Sequence, residues 1–537
     1  MKKTTADMMV DALVANGVDT VFGIPGAHSY ELSDALARRS NDIHFIHTRH
    51  EQGAGYMAYG YARSSGKPGV FTVVPGPGVL NAGAAICTGY GGNAPMMCLT
   101  GNIMSHLIGQ GRGQLHELPD QLATLKGLTK WADRINHPSE AAGKMTTAFT
   151  EMTSGRQRPV AIEVPWDVFG QKAPAPEIDA APVRHTALDP DTISTAAGLI
   201  AAAKHPLIMV GGGALDAASE VLALAQKIQA PVTSHRSGKG IVPDDSPYAM
   251  NLIASYDYYR NCDLLIGIGS RLELQMMRWQ WRPAGLKVLR IDIDPTEMVR
   301  LKPDHAVIGD AAEATAAITA ALCDHAPDRT AAFQAIKDKA HTAAHAIQPQ
   351  MRYLDAIRRA LPRDGFFVEE VSQMGFTARF GFPVYGPRQY VTCAYQDNLG
   401  FGYNTALGVK IANPDKAVVS ISGDGGFMFG VQELATAMHH RIGVIAVIVN
   451  NNAYGNVRRD QTNVFDGRIL GADLTNPDFV ALAQSFGMPA ERAETPGQLE
   501  QAITTALANG GPALIEVPVE TGSETSPWQF LHPAPHS

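Results

Sequence analysis

Residues 417–456 constrain this chain more than any other stretch. Residues 418–421 read as a buried strand, Gly423-Asp424-Gly425-Gly426 as a turn, 431–440 as a helix, and 444–449 as a second strand ending in Asn450-Asn451-Asn452. Two strands joined through a helix run parallel, so both carboxyl ends fall on one edge of the sheet. Asp424 and Asn451, 27 positions apart, are thereby brought together. A carboxylate and an amide oxygen are hard ligands of the kind Mg²⁺ or Ca²⁺ takes, and Mg²⁺ completes its shell from water and substrate phosphates. Gly425 and Gly426 carry no side chains, so peptide N–H groups at the helix start can approach an anion closely. An isolated Gly-Asp-Gly turn says little, but within this unit it describes a diphosphate held through a metal.

The same alternation fills the rest of the chain. Near the N-terminus Thr5 reads as the cap of a helix with Met9 and Leu13, and Val10 and Val14, at i,i+4, ended by Gly17. Strands are expected at 19–23, 43–48, 70–74, 96–100 and 159–164, a helix at 51–63, and a turn at Gly76-Pro77-Gly78. Residues 170–192, with Pro174, Pro176, Pro182 and Pro190, have linker composition. A second block has strands at 207–210, 231–233, 264–268 and 287–293, and 324–350 reads as a partly helical connection. A third block runs from near 353 to 518, and a proline-rich tail with Trp528 is expected over the surface or a site entrance. The fold class is α/β, three doubly wound parallel-sheet domains at 1–170, 190–325 and 351–520 with a tail at 521–537. The 537 residues agree with about three domains of roughly 100–200 residues each.

Composition excludes several functions. A net charge of −8 and a pI near 6.1 leave no basic face for nucleic acid. No apolar run approaches the roughly 18 residues of a membrane span, and no signal-peptide core follows Lys2 and Lys3. Five cysteines without CxxC spacing suit a reducing compartment, so a cytoplasmic enzyme is expected.

Gly423-Asp424-Gly425 followed by Asn450-Asn451 resembles the thiamine diphosphate motif of the acetohydroxyacid synthase, 2-oxo acid decarboxylase and benzaldehyde lyase superfamily, and the likeness spans the whole chain. The resemblance implies pyrimidine-binding, central and diphosphate-binding domains in that order. It also implies Mg²⁺ held by Asp424, the Asn451 side chain and the Ala453 carbonyl, with Gly423, Gly425, Gly426, Tyr454, Gly455 and Asn456 around the diphosphate. Thr48-Arg49-His50-Glu51 is similar to the family's catalytic glutamate motif. Thiazolium C2 is a weak carbon acid deprotonated by the cofactor's own imino group, and that tautomer needs a carboxyl group on ring N1′. In the family this carboxyl comes from the partner subunit, so a homodimer or homotetramer is implied. Leu399 resembles the bulky residue that bends the cofactor, where methionine is frequent in the synthases. The Asp397 carbonyl would accept from the aminopyrimidine, and Pro77 and Asn81 resemble the loop on the ring's other side.

Substrate handling falls to His28, which matches a histidine of benzaldehyde lyase, and to His116, where that enzyme and the synthases carry glutamine. Two imidazoles titrating near neutrality can relay protons. Arg458 and Arg459 are candidates for holding a substrate anion, with a solvated helix face as the alternative. In the central block Gly211-Gly212-Gly213 and Gly267-Ile268-Gly269-Ser270-Arg271 do not spell GxGxxG followed by a helix and a suitably placed acid, which sets a nicotinamide dehydrogenase aside. Ile291-Asp292-Ile293-Asp294-Pro295 is similar to the synthases' flavin-domain sequence. Residues 272–281 do not resemble their flavin-contacting stretch, so FAD is expected to be absent.

The expected function is decarboxylation of a 2-oxo acid, with the enamine protonated or ligated to a second carbonyl, as in acetolactate synthase. The alternatives are a non-decarboxylating lyase or carboligase on 2-hydroxy ketones or 2-hydroxyacyl thioesters, a non-catalytic cofactor-binding regulatory subunit, and a flavin oxidase.

Overall fold

Three six-stranded parallel sheets organise the computed structural model, which describes residues 2–323 and 326–535. Ranked by chain order within each sheet, the first runs 2-1-3-4-6-5, with Thr20–Gly23 as its first strand and Gly69–Val73 as its third. The third sheet repeats that order, with Phe366–Glu369 first and Val418–Gly423 third. The second sheet runs 3-2-1-4-5-6, with Pro206–Val210 first and Leu264–Ile268 fourth. The central strands are continuous apolar runs because helices cover both faces; Met96–Asn102 is buried at every residue. Each sheet has a point where strand order reverses, and a crevice opens outside the carboxyl ends of the strands there.

The first and third blocks meet through the helices Glu51–Ser65 and Gly402–Ala412. Backbones approach closely enough that a Cβ on Gly60 would lie 2.1 Å from the Thr405 oxygen, and one on Gly408 would lie 1.9 Å from the Met57 oxygen. Around this crossing Tyr56, Met57, Tyr59 and Phe401 are fully buried, and the Tyr59 hydroxyl donates to the Thr392 carbonyl at 2.7 Å.

Several sequence expectations need correction. The first helix, Thr5–Ala15, is capped by Thr4, whose hydroxyl accepts from Asp7 N at 3.0 Å while Asp7 accepts from Thr4 N. That reciprocal box makes Thr5 the first helical residue. Gly76-Pro77-Gly78 opens the helix Pro77–Gly92: Pro77 takes the first helical position, where its missing N–H is no loss, and Gly76 caps it at φ +64°. The 170–192 linker holds a strand, Lys172–Pro174, antiparallel to Lys2–Thr4, and its last proline begins the helix Pro190–Ala202 under an Asp189 cap. The Gly423–Gly426 turn contains one helical turn, Asp424–Phe427. Of the connection at 324–350, residues 324–325 lie outside the described residues, and Thr330–Ala344 is helical. The tail runs across the third block: Thr525 N donates to the Gln348 carbonyl and Trp528 Nε1 to Asn456 Oδ1 at 2.7 Å.

Candidate active site

At the third sheet's reversal the chain leaves Val418–Gly423 into Asp424, and leaves the neighbouring strand, Val444–Asn450, into Asn451. A cavity of about 350 Å³ opens outside these strand ends. Gly423, Asp424, Gly425 and Gly426 line one wall, with the Tyr454 ring packed on Gly425. Asn451, Ala453, Gly455 and Asn456 form the opposite wall, and Asp397 and Leu399 close the end. The sequence reading missed several further wall residues, among them Gln373, Phe376 and Glu524 of the tail, which accepts from Asn451 Nδ2 at 2.7 Å.

The charges here are unusual. Asp424 is 2% exposed, and burial raises its pKa above the ordinary carboxylate value although the Asn476 amide, at 2.6 Å, offsets part of that. Burial also raises Glu524, with Asp424 repelling it and Asn451 opposing the shift. Neither carboxylate forms an ion pair among the described residues. A buried carboxylate, Asp424, and a half-buried one, Glu524, which Arg459 also acts on, stand beside an amide oxygen and a backbone carbonyl, a donor set that fits a hard divalent ion. Thiamine diphosphate and Mg²⁺ therefore fit this cavity.

The end wall is held from behind. Asp397 takes a left-handed φ of +44°, and its carboxylate pairs with Arg379 at 2.6 Å and Arg236 at 3.1 Å. Burial would raise this carboxyl, but the two arginines outweigh it and lower it. Glu370, fully buried after the first strand, accepts from Gly400 N and from Phe401 N at 3.2 Å, which fixes the loop carrying Leu399. Burial pushes its pKa up to about 7 against those hydrogen bonds.

The remaining candidates form a second cluster at the first sheet's reversal. Glu51 begins the helix Glu51–Ser65 and accepts from Asn81 Nδ2 at 3.0 Å, one turn past the exposed Pro77. Glu433, from the third block, accepts from His50 N at 2.9 Å and Arg49 N at 3.1 Å, capping the same helix start. His28 and His116 face each other with ring centroids 5.4 Å apart, and His28 packs edge-on to Trp166 at 4.8 Å. Both histidines take positive φ, +69° and +64°, and both leave a buried Nδ1 without a partner among the described residues. Burial, then the neighbouring His116, lowers the pKa of His28. Gln121 binds the cluster together, accepting from Gly76 N at 2.8 Å and donating to the Gly101 carbonyl at 2.9 Å.

Neither Glu51 nor either histidine lines the Asp424 cavity. Arg458 pairs with Asp473 at 2.6 Å, and Arg459 donates to Asn456 at 2.7 Å and Ser526 at 2.9 Å, so neither arginine reaches the cavity wall. Sequence patterning offered no signal for Glu524, a lone acid in a proline-rich tail. It offered none for Asn476 either, which lies 52 residues beyond its partner. At the second sheet's reversal a separate cavity of about 340 Å³ lies between Gly211–Gly213 and Gly269–Arg271, with Arg156, Asp292 and Arg388 on its walls.

Three six-stranded parallel sheets, with Asp424 and Asn451 at neighbouring strand ends of the third, give the three-domain architecture in which the family is recognised. The chain belongs to the thiamine pyrophosphate (thiamine diphosphate) enzyme family: the N-terminal TPP binding domain matches residues 3–124, the central domain 193–318, and the C-terminal TPP binding domain 370–517. It is 33% identical to the probable 2-ketoarginine decarboxylase of Pseudomonas aeruginosa, over 96% of this chain and 94% of that one. A probable acetolactate synthase large subunit of Methanocaldococcus jannaschii is 32% identical over 96% of this chain and 92% of its own. The acetolactate synthase isozyme 1 large subunit of Escherichia coli is 30% identical over 98% of this chain and 95% of its own.

Proposed function

We propose that this enzyme decarboxylates a 2-oxo acid with Mg²⁺ and thiamine diphosphate, and passes the remaining acyl unit to a proton or to a second carbonyl. The observation carrying this reading is the buried Asp424 carboxylate, which forms no ion pair among the described residues, beside Asn451, Ala453 and the half-buried Glu524 in one cavity. Asp424, Asn451 and Ala453 hold the metal, and the Gly425 and Gly426 peptides face the diphosphate. Bound there, thiamine diphosphate supplies a carbon nucleophile and an electron sink for the charge left when CO₂ departs. Leu399 orients the cofactor, and the Asp397 carbonyl accepts from its amino group.

Glu51 presents a carboxyl group to the pyrimidine ring from a second subunit, with Asn81 fixing its orientation. This accounts for a Glu51 cluster that lies outside its own chain's cavity, and for Leu80, 53% exposed on the Asn81 helix. The working unit is a homodimer or a pair of homodimers. His28 and His116 move the substrate proton; their free Nδ1 atoms face no competing partner among the described residues. The same pair favours a second reading, a lyase or carboligase that acts on 2-hydroxy ketones without loss of CO₂. Neither reading calls on FAD, since residues 272–281 do not resemble the synthases' flavin-contacting stretch.

The test is a panel of 2-oxo acids given with thiamine diphosphate and Mg²⁺, with and without aldehydes, following CO₂ and ligation products together. CO₂ release that depends on both additives is expected. Products from 2-hydroxy ketones with no CO₂ from any 2-oxo acid would favour the second reading, and a yellow, oxygen-consuming preparation would contradict both.

A further inference from the structure

Outside the cavities, one cluster of ligating side chains among the described residues has no part in the proposed reaction. His47 ends the strand His44–His47, and His439 and His440 end the helix Leu434–His440 of the third block. One ring nitrogen from each of the three lies within 4.8 Å of the others. His440 Nε2 and His47 Nδ1 are 3.1 Å apart, and the ring centroids are separated by 4.5, 4.7 and 4.7 Å. Two nitrogens bound to one tetrahedral zinc at about 2.0–2.1 Å stand about 3.3 Å apart, so the closest pair is already near a ligating separation.

From this geometry we infer that His47, His439 and His440 form a binding site for a borderline transition-metal ion such as Zn²⁺, distinct from the Asp424 site. Three imidazoles and no carboxylate select zinc, copper or nickel over Mg²⁺, which takes oxygen ligands. His439 is exposed and His47 and His440 are half-buried, so the fourth coordination position faces solvent. The charged group acting on the cluster is the Arg49 guanidinium, which sits near His47 and also acts on Glu433, the carboxylate that caps the following helix. The ion bridges two blocks of the chain, and His47 lies four residues before Glu51 on the same segment. Metal binding therefore stiffens the strand-to-helix corner that presents Glu51.

Zinc titration of the enzyme already loaded with thiamine diphosphate and Mg²⁺, followed by calorimetry, tests the site. Co²⁺ in place of zinc gives the visible absorption of tetrahedral coordination. One equivalent per chain is expected, insensitive to excess Mg²⁺. His439→Ala, at an exposed position that leaves packing intact, should weaken that equivalent by more than about tenfold, the loss that outer-shell changes alone produce. His205→Ala, at an exposed histidine elsewhere, should leave it unchanged. The inference is overturned if the wild type binds no zinc, or if His439→Ala and the His47→Ala/His440→Ala double variant retain the same equivalent with the same affinity and cobalt spectrum. Because both readouts are of binding, failure here leaves the proposed reaction untouched.

Discussion

At Glu51 the structure supplies a carboxylate held by one amide, Asn81, at the start of a capped helix. Glu51→Gln should lower turnover more than about 100-fold, the lower end of what a positioned acid or base contributes, while thiamine diphosphate affinity stays within a few-fold. Parallel loss of binding and turnover would reassign Glu51 to cofactor anchoring. Asp424 has a different signature. Its folded pKa is raised, so the native state holds more protons than the unfolded chain, and metal-free stability falls as pH rises above the ordinary carboxylate value of 3.8. Asp424→Asn should therefore raise the melting temperature of the metal-free protein near pH 7, and abolish the stabilisation that Mg²⁺ with thiamine diphosphate gives the wild type. A variant still stabilised by the pair would remove Asp424 from the metal. Asp424 was legible because a strand–helix–strand unit turns its spacing from Asn451 into proximity, and Glu51 because an acid stands where a strand passes into a glycine- and alanine-rich helix. Glu524 and Asn476 were not, since only tertiary packing brings them to Asn451 and Asp424.

Among elements, the crossing of Glu51–Ser65 over Gly402–Ala412 matters most, because it sets the helix that begins at Glu51 against the third block. Gly60→Ala drives a methyl into the Thr405 carbonyl and should cost about 1–3 kcal/mol, read as an earlier denaturation midpoint, whereas a neutral effect would mean the helices separate freely. The Leu399 loop rests on Glu370. With its pKa raised to about 7, Glu370 makes stability fall as pH climbs from about 4.5 to 7, and Glu370→Gln should flatten that stretch of the stability profile. An unchanged profile would show that other groups set it. The buried strands were readable as continuous apolar runs, but the short edge strands Ala249–Met250 and His305–Ile308 were not, because so few residues show no period. Gly76-Pro77-Gly78 reads as a turn although it opens a helix, because glycine and proline mark both. What separates them is the positive φ of Gly76, which the sequence only permits.

On the scale of the molecule, one chain holds the Glu51 cluster and the Asp424 cavity at the carboxyl ends of separate sheets and does not join them. Length and periodicity were enough for three α/β blocks, and the family models cover all three. The separation of Glu51 from the Asp424 cavity comes from how the blocks pack, which no local pattern encodes. The account's central claim is that Glu51 of one subunit serves the metal site of another, and hybrid dimers of Glu51→Gln and Asp424→Asn chains, co-expressed under two tags, test it. Each chain alone should be nearly inactive. In a hybrid, one site combines both defects and the other combines neither, so a random mixture should recover about a quarter of wild-type CO₂ release, and purified hybrids about half. If purified hybrids are as inactive as either parent, Glu51 and Asp424 work within one chain and the account is wrong.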